Sequence, residues 1–202
     1  MSSTSYSLFN TWSRTSEHLF NSVLAANRAA AAAFGVPMSD LDGVTAEERI
    51  TPGEDLEEWD VDRSTRTRGD LSVGDRIEFT KTVTGRDVER FAAASGDTNP
   101  IHLDEGYADE TRFGGRIVHG MLVTGLISAA LARLPGNVIY LSQDVQFLKP
   151  VRIGDRVTAE VEVVEDFDDE RYRLATRVFD ADGATVVDGE AVVLIDEAPT
   201  PE

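Results

Sequence analysis

The sequence predicts an α+β domain in which an antiparallel sheet wraps around one long buried helix. The first observation is the stretch Ile117–Ala132, which is almost wholly apolar and long enough for roughly four helical turns. The second is the set of strand-like runs that come after this helix, with turn signals at Gly154-Asp155 and Asp182-Gly183. These runs are Val138–Val151, Asp155–Val164, Arg171–Phe179 and Ala184–Ile195. One buried helix followed by an antiparallel meander is an α+β arrangement.

The N-terminal residues 1–36 predict an amphipathic helical extension. Strong helix formers continue through Ala25–Ala33, and Gly35 is expected to end the helix. The apolar positions before it are Leu8, Phe9, Trp12, Leu19, Phe20, Val23 and Leu24. Such a helix needs a surface to lie on. That surface is the protein's own dimer, another protein, or a hydrophobic granule.

Residues 37–70 resemble a linker, because they combine prolines and an acidic cluster with little apolar periodicity. Trp59 is the one large apolar side chain near that cluster, and we expect it to dock locally. The folded domain is expected to span residues 71–196, and residues 197–202 form a C-terminal tail.

The folded domain is expected to begin with a strand at Val73–Val83, which alternates apolar and polar residues after a turn. A short helix, Asp87–Ser95, then delivers the chain to Gly96 and Asp97. A second short helical piece near Asp104–Glu110 is interrupted by Gly114 and Gly115 before the buried helix starts.

Composition excludes several classes of function. Thirty-seven acidic residues against nineteen basic ones give a net charge of −18, which argues against nucleic-acid binding. Lys81 and Lys149 are the only lysines. Dense carboxylates with scarce lysine favour a halophilic protein, because at ~1 M salt a Debye length of ~3 Å screens self-repulsion. An ordinary acidic surface is the alternative.

Other chemistries are also disfavoured. The chain has no cysteine, so disulfides and thiolate chemistry are absent. The three histidines show no ligand-type spacing with carboxylates, so we expect no metal site. No apolar run reaches the ~18 residues of a membrane span, and the N-terminus lacks a basic region before an apolar one. We expect a cytoplasmic protein without an integral membrane segment.

The candidate site is the segment Ser95–His102, which contains a carboxylate, a carboxamide and an imidazole. On a regular helix Asp97 and His102 would point about 140° apart. Pro100 biases Asn99 away from helical angles, so we expect a turn that folds both side chains toward one volume. Two proton-transferring groups on either side of one water suit the addition of water to a polarised double bond. The alternative is a loop with an Asx-turn Asp97 and a surface His102.

A family resemblance rests on this segment and two later ones. The run Phe91–His102, with Ala108 six residues on, resembles the signature of the MaoC-like dehydratases, the (R)-specific enoyl-CoA hydratases. Phe113–Leu122 and Leu134–Tyr140 resemble the entry and exit of that family's central helix. The likeness extends from about Leu71 to Ile195. Ala94 departs from the larger apolar residue or glycine that is usual there.

The resemblance implies a hot-dog fold, usually a dimer joined edge to edge, and reversible hydration of trans-2-enoyl-CoA to (R)-3-hydroxyacyl-CoA. In that chemistry Asp97 and His102 hold the reacting water, and which of them acts at each instant stays open. Asn99 either orients the water or fixes the turn. The backbone N–H of Gly120 at a helix N-terminus would stabilise the enolate oxygen. Ser128 lies two turns further on the same face and is a candidate for lining the acyl pocket.

For His119 we prefer a supporting role to a catalytic one. The thioester itself activates the double bond, so the substrate is an acyl-CoA and no metal or redox cofactor is required. Supply of monomers for polyhydroxyalkanoate synthesis would fit if the N-terminal helix binds granules. The alternatives are a non-catalytic acyl-thioester-binding or granule-associated protein, a dehydratase acting on acyl-carrier-protein thioesters, and a thioesterase, against which the histidine-containing motif argues.

Overall fold

The computed structural model describes residues 51–198 of the 202-residue chain. The predicted helical extension, residues 1–36, and residues 37–50 of the predicted linker lie outside these residues. The chain divides between Glu54 and Asp55 into two units, and the second unit contains the sheet and the helices. None of the helices within residues 51–198 is long and apolar enough to span a membrane.

The second unit is built on a six-stranded sheet in which every neighbouring pair is antiparallel. The spatial order is β1-β2-β4-β5-β6-β3, so β1 and β3 form the two edges. The strands are β1 (Asp60–Arg63), β2 (Arg76–Thr82), β3 (Asn137–Phe147), β4 (Arg156–Asp166), β5 (Arg171–Phe179) and β6 (Thr185–Asp196). The predicted strands after the buried helix are therefore present, and the first ends at Phe147 instead of Val151.

Four α-helices accompany the sheet: α1 (Gly85–Ser95), α2 (Pro100–Leu103), α3 (Glu105–Asp109) and α4 (Gly120–Leu131). Helix α1 begins with a capping box, in which the Thr84 and Asp87 side chains each accept a bond from the other's backbone N–H. It ends at Gly96, whose φ of 78° is the left-handed conformation that glycine adopts without strain. These two signals fix where the chain leaves α1 and enters the candidate site.

Helix α4 packs against one face of the sheet, in contact with β2, β4 and β5. The fully buried members of this core include Ile77 and Phe79 of β2, Ile127 and Leu131 of α4, and Leu174 of β5. The apolar character of Ile117–Ala132 correctly predicts this central helix. The α+β prediction is thus confirmed.

The prediction that α4 is buried all round holds only in part. Residues at helical spacing along one face, Met121, Gly125, Ser128 and Ala132, are exposed in the single chain, and Met121 is 62% exposed. Edge strand β3 also exposes large apolar side chains, namely Ile139, Tyr140 and Leu141 at 41%, 40% and 50%. Apolar exposure of this extent on two elements is typical of a surface that another protein covers.

The end of the predicted linker belongs to the folded unit. Residues 60–63 form β1, in which Val61 is the register partner of Phe79 on β2. Trp59 packs edge-on against Phe79, with ring centroids 5.4 Å apart. Arg133 lies over the Phe79 ring and pairs with Asp55. Four-residue strands among charged residues have almost no periodicity, so sequence pattern does not reveal them.

Candidate functional site

The loop between α1 and α2 places Asp97. Ser95 Oγ donates to the Phe91 carbonyl at 2.7 Å and accepts from the Asp97 N–H at 3.2 Å. One carboxylate oxygen of Asp97 accepts from the Asn99 N–H at 3.3 Å, which closes an Asx-turn. Asp97 is exposed. Since this turn engages Oδ1, the second carboxylate oxygen is the one left for a further hydrogen bond.

Asn99 caps helix α2. Its side-chain oxygen accepts from the Ile101 N–H at 3.3 Å, and its ψ of 126° is the extended backbone expected before proline. Pro100 then occupies the first helical position, where a missing N–H costs nothing. The segment expected to be a turn is therefore a turn followed by one turn of helix. The observed bond supports the turn-fixing role of Asn99.

Helix α2 presents His102 to the interior, where the residue is 7% exposed. Its Nδ1 lies 2.8 Å from the carbonyl oxygen of Ile117. A carbonyl can only accept, so Nδ1 carries the proton and Nε2 of the neutral ring is a free base. Burial lowers the pKa of His102 below its ordinary value of 6.5 and the neighbouring His119 lowers it further, against the raising effects of the Ile117 bond and Asp97. The ring is therefore held in its basic form.

His119, the residue before α4, joins this group. Its ring stacks on the His102 ring with centroids 3.9 Å apart and planes inclined at 30°. Its Nε2–H donates to the backbone carbonyl of Asp97 at 3.0 Å, and the residue is 1% exposed. Among residues 51–198 its Nδ1 has no hydrogen-bond partner. His119 thus touches both the histidine and the backbone of the aspartate.

The fold brings Asp97, His102 and His119 into one cluster, in which a ligand-type atom of each lies within 4.8 Å of the others. Within the described residues this is the one grouping that could hold a metal ion by proximity. Sequence spacing does not reveal it, because His119 follows His102 by 17 residues. Two of its ring nitrogens already face backbone carbonyls. That arrangement fixes tautomers, as proton transfer requires.

Gly120 begins helix α4. The preceding His119 makes no side-chain cap bond, and its carbonyl accepts from the Leu122 and Val123 N–H groups. Within the described residues the N–H groups of Gly120 and Met121 therefore have no acceptor. A Cβ added to Gly120 would lie 2.9 Å from Phe147 Cε1. Glycine therefore lets the Phe147 ring pack directly against the start of α4. The N–H groups at this helix N-terminus fit the oxyanion role, which stays a prediction.

His102 and Gly120 line the same cavity, whose volume is about 290 Å³. Its apolar wall is made by Phe113, Ile117, Val118, Val123, Phe147, Leu148, Pro150, Val151 and Val187. Two cations, Arg112 and Lys149, complete the lining. Asp97 lies beside the cavity through its contact with the histidines but does not line it. Ser128 is exposed on α4 and is also absent from the lining.

Of the residues that the sequence predicts for the site, the fold brings Asp97 close to His102, and His102 and Gly120 line one cavity. Their roles stay predictions. The sequence did not identify Phe147 or Arg112, since no motif connects either residue to the aspartate–histidine segment. Ser128 as a pocket residue stays a prediction.

The comparison with known families decides the identity of the fold. Residues 71–182 match the model of the MaoC-like domain. The chain belongs to the MaoC-like dehydratase family. Residues 1–70 lie outside this match.

Similar proteins of this family include an (R)-specific enoyl-CoA hydratase of Rhodospirillum rubrum, 42% identical over 128 residues, which are 62% of this chain and 89% of that protein. The solved R-hydratase PhaJ1 of Pseudomonas aeruginosa is 45% identical, with a TM-score of 0.61 over 66% of this chain and 92% of that one. The (R)-hydratase of Aeromonas caviae, described as involved in PHA biosynthesis, is 43% identical, with a TM-score of 0.60 over 64% and 98%. The described MaoC-like domain is thus a hot-dog fold, as the resemblance implied.

Proposed function

We propose that this protein is an (R)-specific enoyl-CoA hydratase, which reversibly adds water to trans-2-enoyl-CoA to give (R)-3-hydroxyacyl-CoA. The observation that carries the proposal is the pairing of a buried, neutral His102 with the Asp97 carboxylate beside the open N-terminus of α4. The hydratase relatives support the same reaction class.

In the proposed mechanism the reacting water lies between Asp97 and His102. Its oxygen forms the bond to C3 of the enoyl group while its proton passes to this pair, and the pair returns a proton to C2 on the same face. The electron pair of the C2–C3 double bond moves transiently toward the thioester oxygen. The N–H of Gly120 and the positive end of the α4 dipole stabilise that negative charge. One water is added and nothing is oxidised or reduced, so the reaction needs no redox cofactor.

The decisive experiment is hydration of crotonyl-CoA, followed by the loss of enoyl-thioester absorbance. We expect turnover by the wild type with (R)-3-hydroxybutyryl-CoA as product. Asp97→Asn and His102→Ala should each lower kcat by at least ~10²-fold, the usual scale of acid–base catalysis. Circular dichroism and thermal melting show whether these variants fold.

A folded wild type that hydrates no enoyl-CoA of any chain length would contradict the proposal. Turnover of crotonyl attached to an acyl carrier protein would then favour a dehydratase acting on carrier-protein thioesters. Binding without turnover of either substrate would favour a non-catalytic acyl-thioester-binding protein.

A homodimer is part of the proposal. Its support is the apolar exposure of edge strand β3 and of the Met121–Ala132 face of α4. Unpaired edge strands readily pair with another chain. A second copy aligned on β3 would extend the sheet and cover both apolar surfaces, Ser128 included.

The cellular setting is proposed from composition and relatives. We infer a cytoplasmic protein. The net charge of −18 supports a halophilic one, whose thermal midpoint should rise between ~0.1 and ~1 M NaCl as repulsion between carboxylates is screened. A midpoint that falls would contradict this. The (R)-product is the monomer type of polyhydroxyalkanoates, and the Aeromonas caviae relative supports that use. Co-sedimentation of residues 1–54 with granules would test whether the N-terminal segment binds them.

A further inference from the structure

Two cations line the cavity that contains the candidate catalytic base. The cavity reaches from His102 and Gly120 to Arg112 and Lys149. Both cationic residues are exposed, so their charged ends lie at the rim toward solvent. Arg112 precedes α4 and Lys149 follows β3, so the two approach the cavity from separate segments of the chain.

Neither cation is neutralised by the residues that the structure describes. The only other lysine, Lys81, pairs with Asp87 at 3.1 Å. Arg112 and Lys149 form no ion pair with any carboxylate of residues 51–198. In a chain with 37 acidic and 19 basic residues, two unpaired cations at one cavity rim are available to an external anion.

The position of Arg112 is partly fixed. Its guanidinium lies over the ring of Phe113, 5.2 Å from the centroid, and Phe113 itself lines the cavity. A cation stacked on an aromatic ring is held in place with less loss of side-chain freedom on binding. Arginine offers paired N–H donors to phosphate oxygens, and lysine adds a mobile point charge.

The size of the cavity decides which part of a thioester reaches these cations. A volume of about 290 Å³ lies at the lower end for small-ligand sites, so it accommodates an acyl-thioester end and not a whole coenzyme. The remainder of the substrate must leave past the rim. For an acyl-CoA that remainder carries the phosphates.

We propose that Arg112 and Lys149 bind the phosphate groups of coenzyme A as the thioester enters the cavity. This assignment rests on the proposed hydratase function, since it presupposes an acyl-CoA in the cavity. The two residues act on binding, because the reacting bond lies at His102 and Gly120.

The test compares two substrates with the same acyl group. Crotonyl-CoA has the phosphates, and crotonyl-N-acetylcysteamine has the thioester without them. Arg112→Ala and Lys149→Ala should each raise KM for crotonyl-CoA about tenfold, the scale of one charge-assisted hydrogen bond, with kcat changed less than about twofold. The kcat/KM for crotonyl-N-acetylcysteamine should stay within about twofold of wild type, because no phosphate is present to be lost.

A matched control is Arg90→Ala. Arg90 is exposed on α1, forms no ion pair within the described residues and does not line the cavity, so this variant changes net charge equally and should leave both substrates unaffected. Equal losses on the two thioesters, or an unchanged KM for crotonyl-CoA, would overturn the assignment. If the Arg112→Ala and Lys149→Ala variants lost activity only on crotonyl attached to acyl carrier protein, and not on crotonyl-CoA, the assignment would also be overturned.

Calorimetric titration with free coenzyme A separates this assignment from the catalytic proposal. We expect wild type to bind coenzyme A more than about tenfold more tightly than pantetheine, which lacks phosphates, and each alanine variant to reduce that preference about tenfold. If binding follows this pattern in a protein without turnover, the hydratase function fails and the phosphate site stands. If wild type binds both molecules equally, the phosphate site fails.

Discussion

The imidazole of His119 stacks on that of His102 at 3.9 Å between ring centroids, while its Nε2–H donates to the Asp97 carbonyl at 3.0 Å. One buried side chain therefore connects the two groups proposed to handle the reacting water. Its contact with Asp97 is through the backbone, so the carboxylate is engaged only by the Asn99 N–H, through Oδ1, among the residues that the structure describes. His119 is thus expected to act as a positioning residue.

Two replacements of His119 distinguish the effect of its hydrogen bond to Asp97 from the effect of its ring. We expect His119→Gln, whose amide N–H can still reach the Asp97 carbonyl, to keep kcat within about tenfold of wild type. His119→Leu removes the donor to the Asp97 carbonyl, at a cost of about 0.5–1.5 kcal/mol, the net contribution of one hydrogen bond. Its kcat should fall at least ~10²-fold with KM little changed, as measured by steady-state hydration of crotonyl-CoA.

The pH profile of these variants excludes a purely structural effect. Since His119 contributes to the lowered pKa of His102, the acidic limb should move toward higher pH in His119→Leu. Equal activity of the Gln and Leu variants at every pH would contradict the positioning role.

The lowered pKa of His102 predicts how hydration depends on acidity. Burial disfavours the imidazolium, so the base form persists below the ordinary pKa of about 6.5. We expect kcat/KM for crotonyl-CoA to be constant from neutral pH to below 6.5 and to decrease only at more acidic pH. An acidic limb centred above 6.5 would show that His102 is not the titrating base.

Gly120 tests the oxyanion geometry. In Gly120→Ala the new Cβ would lie 2.9 Å from Phe147 Cε1, but that ring is 53% exposed and can move. We therefore expect a folded protein whose kcat falls by ~10²-fold, the scale for loss of an oxyanion donor. Thermal melting and steady-state kinetics measure the two effects.

Gly106→Ala is the control, because Gly106 is exposed on α3, does not line the cavity, and its added Cβ meets only Asp104 Oδ1 at 3.5 Å, an ordinary contact. It should retain activity and gain up to ~1 kcal/mol from helix propensity. Equal activity of the Gly120→Ala and Gly106→Ala variants would refute a role for the Gly120 N–H.

The exposed apolar side chains of edge strand β3 predict that this strand forms the interface of the proposed dimer. Leu141→Lys places a charge on the exposed apolar edge and should convert the proposed dimer into a monomer, as measured by light scattering after size-exclusion chromatography. Val73→Lys, at a residue that is 60% exposed outside the strands, should leave the assembly unchanged. A wild type that is monomeric at micromolar concentration would contradict the β3 interface.

The boundary at Glu54 predicts that two truncations on either side of β1 have different effects. Removal of residues 1–54 should leave hydration and thermal stability close to wild type. Removal of residues 1–64 also deletes Trp59 and β1, which pack on and pair with β2. That loss should lower the free energy of unfolding by ~2–4 kcal/mol, and each kcal/mol should lower the thermal midpoint by about 2–4 °C.

If removal of residues 1–54 abolishes activity in a protein that still folds, the N-terminal segment belongs to the site.

Features that depend on consecutive residues are the ones that the sequence predicts correctly. The apolar run of α4 predicts a central helix, and the Asp97–His102 segment predicts a turn that brings its two ionisable side chains together. The structure contains both. Contacts between separate segments, such as Phe147 over Gly120, are not predictable from pattern. The sequence overestimates the burial of α4, because one face of this helix is apolar and yet exposed in the single chain. A face that binds another protein is also apolar, so hydropathy does not distinguish it from a buried face.

His119 and Gly120 are consecutive residues, and one holds the aspartate loop while the other offers the N–H. The Gly120 N–H belongs to the planar peptide unit that joins it to His119, so only the two side-chain torsions of His119 lie between these functions. The stacking on His102 and the bond to Asp97 hold those torsions in place. Small breathing motions of the surrounding sheet would move the loop and the donor together. We would accordingly look for a catalytic centre that keeps its alignment until close to the temperature at which the whole domain melts.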